Sequence, residues 1–261
     1  DLNTQALTEL SRKRPLALSK AEMEAVQNHY RRPAVQEYRN KHSLSPEPTD
    51  VELEMIAQTW SEHCKHKILN ATVLYEEDGK KEEIKSLFAN YIKKTTDTIS
   101  EKKDYLRSVF HDNSGVIEFD KDNLVCLKVE THNSPSALDP YGGAITGIVG
   151  VNRDILGTGK GAKPVFNTNV LCFGDPATPA EEIPEGLLHP ARVLDGVHHG
   201  IIDGGNQSGI PTVAGAFVFD DSYTGKPLVF CGTGGVLPAE VQGEGSWIKH
   251  IDKGDLAVMV G

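Results

Sequence analysis

From residue 115 onward, short apolar runs alternate with glycine-led helical patterns, and this alternation limits the folds open to the chain more than any other feature. "LVCLKVE" reads as a strand, "YGGAITGIVGVNRDIL" as a helix entered through glycines, and "PVFNTNVLCFG" as a second strand. "PARVLDGVHHGIIDGGNQSG" follows as a helix expected to close at Gly204 and Gly205. "PTVAGAFVFD" and "PLVFCGTGGVLP" are two further strands joined by the turn "DSYTGK". Strands alternating with helices predict an α/β (α+β layered) domain, because each apolar face has to be buried against an element of the other kind.

The upstream part has a different texture. Residues 1–48 are polar and punctuated by prolines, with one short helix in "SKAEMEAVQNHYR", N-capped by Ser19 with Glu22 three residues later. A second helix is predicted over "PTDVELEMIAQTWSEHC", opened by a Thr49/Glu52 capping box. The spacing of Leu53, Ile56, Ala57, Trp60 and Cys64 sends them to the core and puts His63 at the edge of the same face. The lysine-rich stretch 71–115 carries "EEIKSLFANYIKKTTDTI", read as a surface helix with a solvated charged face. The division expected from this texture is a helical segment over 1–48 and a larger domain over 49–261. The start on Asp1 without Met and the stop just after "DLAVMVG" read as a fragment of a longer polypeptide.

Composition narrows the function classes. A formal net charge of −10 argues against a nucleic-acid surface, which needs a basic face. No apolar run reaches the roughly 20 residues of a membrane helix. Four scattered cysteines make neither a CxxC pair nor a disulfide framework, which favours a reducing, cytoplasmic setting.

The chemistry-bearing residues gather in "LKVETHNSPSALDPYGGAITG". On a strand Lys128 and Glu130 share one face, and His132 continues it if the chain stays extended. Two readings stay open, a salt-bridged surface face and a binding site. Gly142 and Gly143 at a helix entrance offer N–H groups to phosphate, and "NRDILGTGKGAKP" adds Arg153, Asp154, Lys160 and Lys163. Glu130 and Asp154 are hard-oxygen ligands suited to Mg²⁺, and Lys128, Lys160 and Lys163 could neutralise phosphate. Neither a Walker loop nor a dinucleotide fingerprint is present, so the residues alone lead only as far as phosphate with magnesium, in the manner of ATP.

"QTWSEHCKHK", "KVETHNSPSALDPYGGAITGIVGVNRDILGTG", "LLHPARVLDGVHHG" and "GNQSGIPTVAGAFVFDDSYTGKPLVFCGTGG" together resemble the formylglycinamide ribonucleotide amidotransferases, the phosphoribosylformylglycinamidine synthases of purine biosynthesis. The resemblance runs from about residue 49 to the C-terminus, and residues 1–48 are more loosely similar to the family's helical linker. It implies a domain like the N-terminal domain of aminoimidazole ribonucleotide synthetase, with a mixed sheet, helices on one face, and an equivalent domain as partner in a dimer or pseudo-dimer. It also implies ATP- and Mg²⁺-dependent conversion of formylglycinamide ribonucleotide, with ammonia supplied by a glutaminase domain or subunit, through an iminophosphate. Position by position, His63 and His132 match catalytic histidines and Lys128 an ATP-contacting lysine. Glu130 and Asp154 match magnesium ligands, and Thr131, Asn133, Ser134 and Arg153 match substrate-contacting positions.

Two residues depart from the family pattern. His66 stands where many members carry an ATP-contacting tyrosine, and Ser134 where many carry a histidine. Cys64 reads as a small core residue, His198 and His199 as structural or surface histidines, and Asp220 and Asp221 as turn formers as readily as ligands. Alternatives to this function are a related ATP-dependent synthetase or kinase of the same superfamily, and a non-catalytic nucleotide-binding assembly module.

Overall fold

A computed structural model describes residues 2–259, which form two compact units divided between Lys102 and Lys103. The first unit begins with four helices, α1 (Thr4–Lys13), α2 (Lys20–Tyr30), α3 (Pro33–Lys41) and α4 (Asp50–Thr59). Both expected capping boxes are formed: Ser19 with Glu22 opens α2, and Thr49 with Glu52 opens α4. Each box satisfies two otherwise orphaned N–H groups, which is why these two starts were readable from four residues. Leu7, Leu16, Leu18, Met23, Val26, Leu53 and Ala57 close a small core. Met23 is 1% exposed, so its truncation to alanine costs about 2–5 kcal/mol.

Arg39 ties the loop before α4 to this core. Its guanidinium donates to Glu52 and to the carbonyls of Ser45 and Glu47, and lies 5.0 Å over the Tyr30 ring. The Arg39 hydrogen bonds come first, and the backbone N–H of Thr49 second, in holding Glu52 down from 4.5 to about 2.

The helix expected to run to Cys64 stops at Thr59. Trp60 caps it, Ser61 starts a new single turn, α5 (Glu62–Lys65), by accepting from Cys64 N–H, and Cys64 is exposed rather than packed in the core. Leu53 and Ala57 are buried as expected, whereas Trp60 is 36% exposed. The lysine-rich stretch also differs from expectation. Residues up to Lys85 form a hairpin, β1 (Thr72–Glu77) with β2 (Lys80–Lys85), turning at Asp78 and Gly79 with φ of 50° and 76°. Only from Phe88 does the chain coil, first through a π-type stretch over Phe88–Lys93 and then as α6 (Lys94–Ser100).

The second unit is built on one mixed sheet. Its strands are β3 (Leu106–Ser108), β4 (Gly115–Glu118), β5 (Asn123–Thr131), β6 (Lys163–Phe173), β7 (Thr212–Phe219) and β8 (Leu228–Pro238). The spatial order is β3-β4-β5-β8-β6-β7, antiparallel except for the parallel β6/β7 pair at one edge. The two strands joined by "DSYTGK" therefore do not pair with each other, because β8 inserts between β5 and β6.

Three helices follow β5 and β6: short α7 (Asn133–Leu138), α8 (Pro140–Leu156) and α9 (Pro190–Ser208). Ala144, Ile148 and Val151 of α8 and Val193, Val197 and Ile201 of α9 bury Leu171, Phe173, Val229 and Cys231 of the sheet. Helix α9 passes through Gly204 and Gly205 and ends at Gly209, whose φ of 67° supplies the left-handed cap. A side chain at Gly204 would run into Ile148, so that glycine lets two helices approach rather than ending one.

Because side chains alternate along a strand, the opposite sheet face carries Ile117, Leu127, Val129 and Val236, between 36% and 52% exposed. Short strands β9 (Glu240–Val241) and β10 (Glu244–Gly245) pair beyond the sheet. Among the described residues no helix is long and apolar enough to cross a membrane.

Candidate functional site

The end of β5 and the facing side of α8 bring together most of the expected polar residues of the second unit. Leu124 and Cys126 are buried on the helix side of β5, and the same alternation puts Lys128 and Glu130 on that side nearer the strand's end. There Lys128 Nζ lies 3.0 Å from Glu130 Oε1 and 3.2 Å from Asp154 Oδ2. Desolvation works against the lysine's charge, but Glu130 and then Asp154 outweigh it and raise its pKa above the ordinary lysine value.

His132 follows at the start of α7. Its backbone N–H donates to the Val229 carbonyl at 2.9 Å, and its carbonyl accepts from the Ser136 hydroxyl at 2.7 Å, which fixes the residue between β8 and α7. Its Nδ1 is buried with no hydrogen-bond partner. Gly147 on α8 leaves the space that the imidazole fills, since a Cβ there would stand 3.0 Å from His132 Cβ. Asn133 is held as well: its Oδ1 accepts from Val229 N–H at 2.8 Å. Thr131, Ser134 and Arg153 are exposed.

At the entrance of α8 the glycines have a packing role. Asp139 caps the helix, its Oδ1 accepting from Gly142 N–H at 3.2 Å, so a carboxylate already occupies that helix end. A Cβ on Gly142 would meet the Asp139 side chain, and one on Gly143 the backbone of Pro135 and Ser136. Lys160 is taken by an ion pair with Glu244.

His63 and His66 belong to the first unit. His63 is exposed on α5, with its Nδ1 3.7 Å from Cys64 Sγ. His66 ends that turn in the left-handed region at φ 51°.

A buried polar cluster under the sheet was invisible in the sequence. Asn167 Nδ2 donates to Asn152 Oδ1 at 2.8 Å and to Thr233 Oγ1 at 2.7 Å, joining β6, α8 and β8. Asp112, also missed, accepts from Gly159 N–H at 2.8 Å and Lys249 Nζ at 2.6 Å. Each contact spans distant parts of the chain, so no local spacing announces it.

Among the described residues no group of three or more His, Cys, Asp or Glu side chains is arranged to hold a metal. Glu130 and Asp154 nonetheless fit Mg²⁺ in its usual setting, one or two carboxylates completed by phosphate oxygens and water. That a single ammonium contacts both carboxylates shows that they converge on one cationic group.

Residues 7–67 match the formylglycinamide ribonucleotide amidotransferase linker domain, and residues 111–237 match the AIR synthase related protein, N-terminal domain. The phosphoribosylformylglycinamidine synthase subunit PurL of Thermoplasma volcanium is 38% identical over 237 residues, covering 91% of this chain and 26% of its own length. The same subunit from Rhodococcus erythropolis is 36% identical over 202 residues, 77% of this chain and 23% of that one. The chain thus spans about a quarter of the length of the curated relatives it matches. Among solved structures, T. maritima PurL complexed with ADP aligns with a TM-score of 0.51 at 29% identity over 77% of this chain and 26% of that chain. PurL from T. maritima complexed with FGAR gives the same score and identity, over 77% and 25%. Two segments with distinct family matches, together with a relative 38% identical over 91% of the chain, place this chain in the phosphoribosylformylglycinamidine synthase family.

Proposed function

We propose that the chain is part of an ATP- and Mg²⁺-dependent ligase that converts formylglycinamide ribonucleotide and glutamine-derived ammonia to the amidine in the cytoplasm. The observation that carries this reading is the convergence of Lys128, Glu130 and Asp154, with His132 and its unpartnered buried nitrogen two residues beyond Glu130. One relative, T. maritima PurL, is complexed with ADP in one structure and with FGAR in another, which supports a nucleotide and a ribonucleotide as the ligands.

In this reading Glu130 and Asp154 would hold Mg²⁺, which when bound would neutralise charge on phosphate oxygens. Lys128 sets a fixed positive charge against the transferring phosphoryl group, and His66 is assigned a nucleotide contact. The γ-phosphoryl group passes to the amide oxygen of the substrate, leaving ADP and an iminophosphate. Ammonia then attacks the imidate carbon, the C–O bond to phosphate breaks, and His132 takes a proton from the incoming nitrogen. His63 is assigned a second catalytic role, and Thr131, Asn133, Ser134 and Arg153 bind the ribonucleotide. A glutaminase domain or subunit supplies the ammonia.

The bare sheet face of Ile117, Leu127, Val129 and Val236 is assigned to an equivalent domain, as dimer or pseudo-dimer, because so much adjacent apolar surface marks an interface.

The test is amidine formation from ATP, ammonia and formylglycinamide ribonucleotide. A polypeptide extending over the relatives' full length is expected to turn over, and its His132→Ala variant to lose about 10²–10⁴ of the rate. Residues 1–261 alone are expected to show no turnover. Undiminished activity in the variant would favour a non-catalytic assembly role.

A further inference from the structure

One transverse row of the sheet crosses β5, β8 and β6. Thr233 of β8 stands opposite Lys128 of β5 on one side and opposite Asn167 of β6 on the other. Residues directly opposite each other on antiparallel strands share a face, so Lys128, Thr233 and Asn167 all lie on the side covered by α8. Thr233 and Asn167 are fully buried there.

Helix α8 crosses this row and grips it at two places. Asn152, 4% exposed, accepts at its Oδ1 from Thr233 Oγ1 at 2.7 Å and from Asn167 Nδ2 at 2.8 Å. Asp154 meets Lys128 Nζ at 3.2 Å. Side chains two residues apart on a helix diverge by about 200°. Asn152 and Asp154 therefore leave α8 on opposite flanks of the buried stripe of Ile148, Val151 and Ile155, one toward β6 and the other toward β5.

The apolar stripe alone would let the helix roll over the sheet, because apolar contact has no preferred direction. Hydrogen bonds weaken steeply as their angle closes, so they resist such a roll. Asn167 Nδ2 also donates to Thr233 Oγ1 at 2.7 Å, which closes a triangle of bonds among three side chains from three elements. Buried polar groups are costly without partners, so this triangle holds together only with α8 in one orientation.

We propose that Asn152 is a positioning residue for Asp154. The Asn152–Thr233–Asn167 triangle sets the roll of α8 over the row, and through it the place of the Asp154 carboxylate on the opposite flank, where it converges with Glu130. The inference rests on the reading of Glu130 and Asp154 as Mg²⁺ ligands, and Asn152 itself touches neither. Its remaining polar contact points away from the row: Asn152 Nδ2 donates to Ser208 Oγ on α9 at 3.2 Å.

Mn²⁺ is the probe, since electron paramagnetic resonance reports the bound ion without turnover. The protein is the full-length polypeptide with an ATP analogue that cannot release its γ-phosphoryl group. Asn152→Leu and the shape-conserving Thr233→Val are each expected to weaken the Mn²⁺ site roughly tenfold or more. Both should raise the Mg²⁺ needed for half-maximal amidine formation by a similar factor. Ser208→Ala should leave both quantities at the parental values. If Asn152→Leu does not fold, Thr233→Val decides alone. Glu130→Gln separates this inference from the reading beneath it. Weakened Mn²⁺ binding in Glu130→Gln, with parental binding in Asn152→Leu and Thr233→Val, would overturn the positioning role and leave the metal site standing. Unchanged binding in Glu130→Gln would remove the metal site and the positioning role together. An equal loss in Ser208→Ala would also overturn the assignment, because any disturbance of α8 packing would then have the same effect.

Discussion

Lys128 Nζ on β5 stands 3.2 Å from Asp154 Oδ2 on α8 and 3.0 Å from its near neighbour Glu130 on the same strand face. Half-buried and paired twice, this lysine has its pKa raised. A raised lysine pKa means that the charge and its stabilising contribution are complete below the usual 10.5 and fade only as pH rises through the higher folded value. Lys128 is therefore expected to leave no inflection in a pH–rate profile between pH 6 and 9 on the order of any titration nearer neutrality. Lys128→Met in the full-length protein should lower kcat about 10²–10³-fold. A new inflection in the parent's profile that vanishes in Lys128→Met would count against this.

Gly147 and His132 make a sharper test of geometry. Gly147→Val would push against His132 Cβ, which a Cβ at this position already approaches to 3.0 Å. The expected result is a fall in kcat with little change in the KM for ATP, because Lys128 and the two carboxylates are left in place. Equal loss in both parameters, with an unchanged melting temperature, would mean that His132 is not the group displaced.

The first unit should weaken in acid. Glu52 is depressed from 4.5 to about 2, so its stabilising contribution is present above pH 4.5 and is lost as pH falls from there toward 2. With the side chain one-third exposed, the pH-dependent part is about 1–2 kcal/mol. Urea midpoints measured across that window should fall for the parent, while Glu52→Gln should start lower and vary less. Parallel curves for the two proteins would contradict the assignment.

Thiol reactivity should separate the four cysteines. Cys64 is exposed, whereas Cys126, Cys172 and Cys231 are buried, and burial pushes Cys231 up to about 12. A thiol reagent should label one cysteine quickly in the native chain and all four after denaturation. Fast labelling that survives Cys64→Ser would show that a buried cysteine is accessible.

The bare sheet face predicts association. Leu127 and Val129 are 52% and 41% exposed on the face opposite α8 and α9. Changing both to glutamate should lower the sedimentation mass of an associating chain to that of a monomer, or expose a destabilised face in a pseudo-dimeric longer protein. An unchanged mass and an unchanged melting temperature in both settings would remove this face from the interface.

Elements set by local chemistry were legible in the sequence. The two capping boxes, the period-two pattern of β5 and the helical face of α8 each depend on residues within a few positions of one another. The hairpin at Asp78–Gly79 carried a strong local turn signal, an Asp-Gly pair, yet most of its second strand fell within the charged stretch read as a surface helix over 82–99. The helix break came from a local cap, Ser61 Oγ accepting from Cys64 N–H, whereas the passage of α9 through Gly204 turned on tertiary packing. Spacing carried the apolar pattern on to Cys64, and only Ile148 on another helix explains why a glycine stands mid-helix. Of the candidate site, residue types and strand phase gave Lys128 and Glu130 a common face. The approach of Asp154, and the buried Asn152, Asn167 and Thr233 cluster, required the sheet order to be known.

The central claim is that Glu130 and Asp154 serve a magnesium-dependent phosphoryl transfer beside His132. Its most direct measurement is the Mg²⁺ dependence of amidine formation by the full-length protein and its Glu130→Gln variant, at saturating ATP and substrate. The account predicts that the variant needs roughly tenfold or more Mg²⁺ for half-maximal rate and has a lower ceiling. Superimposable Mg²⁺ curves with equal maximal rates would contradict it.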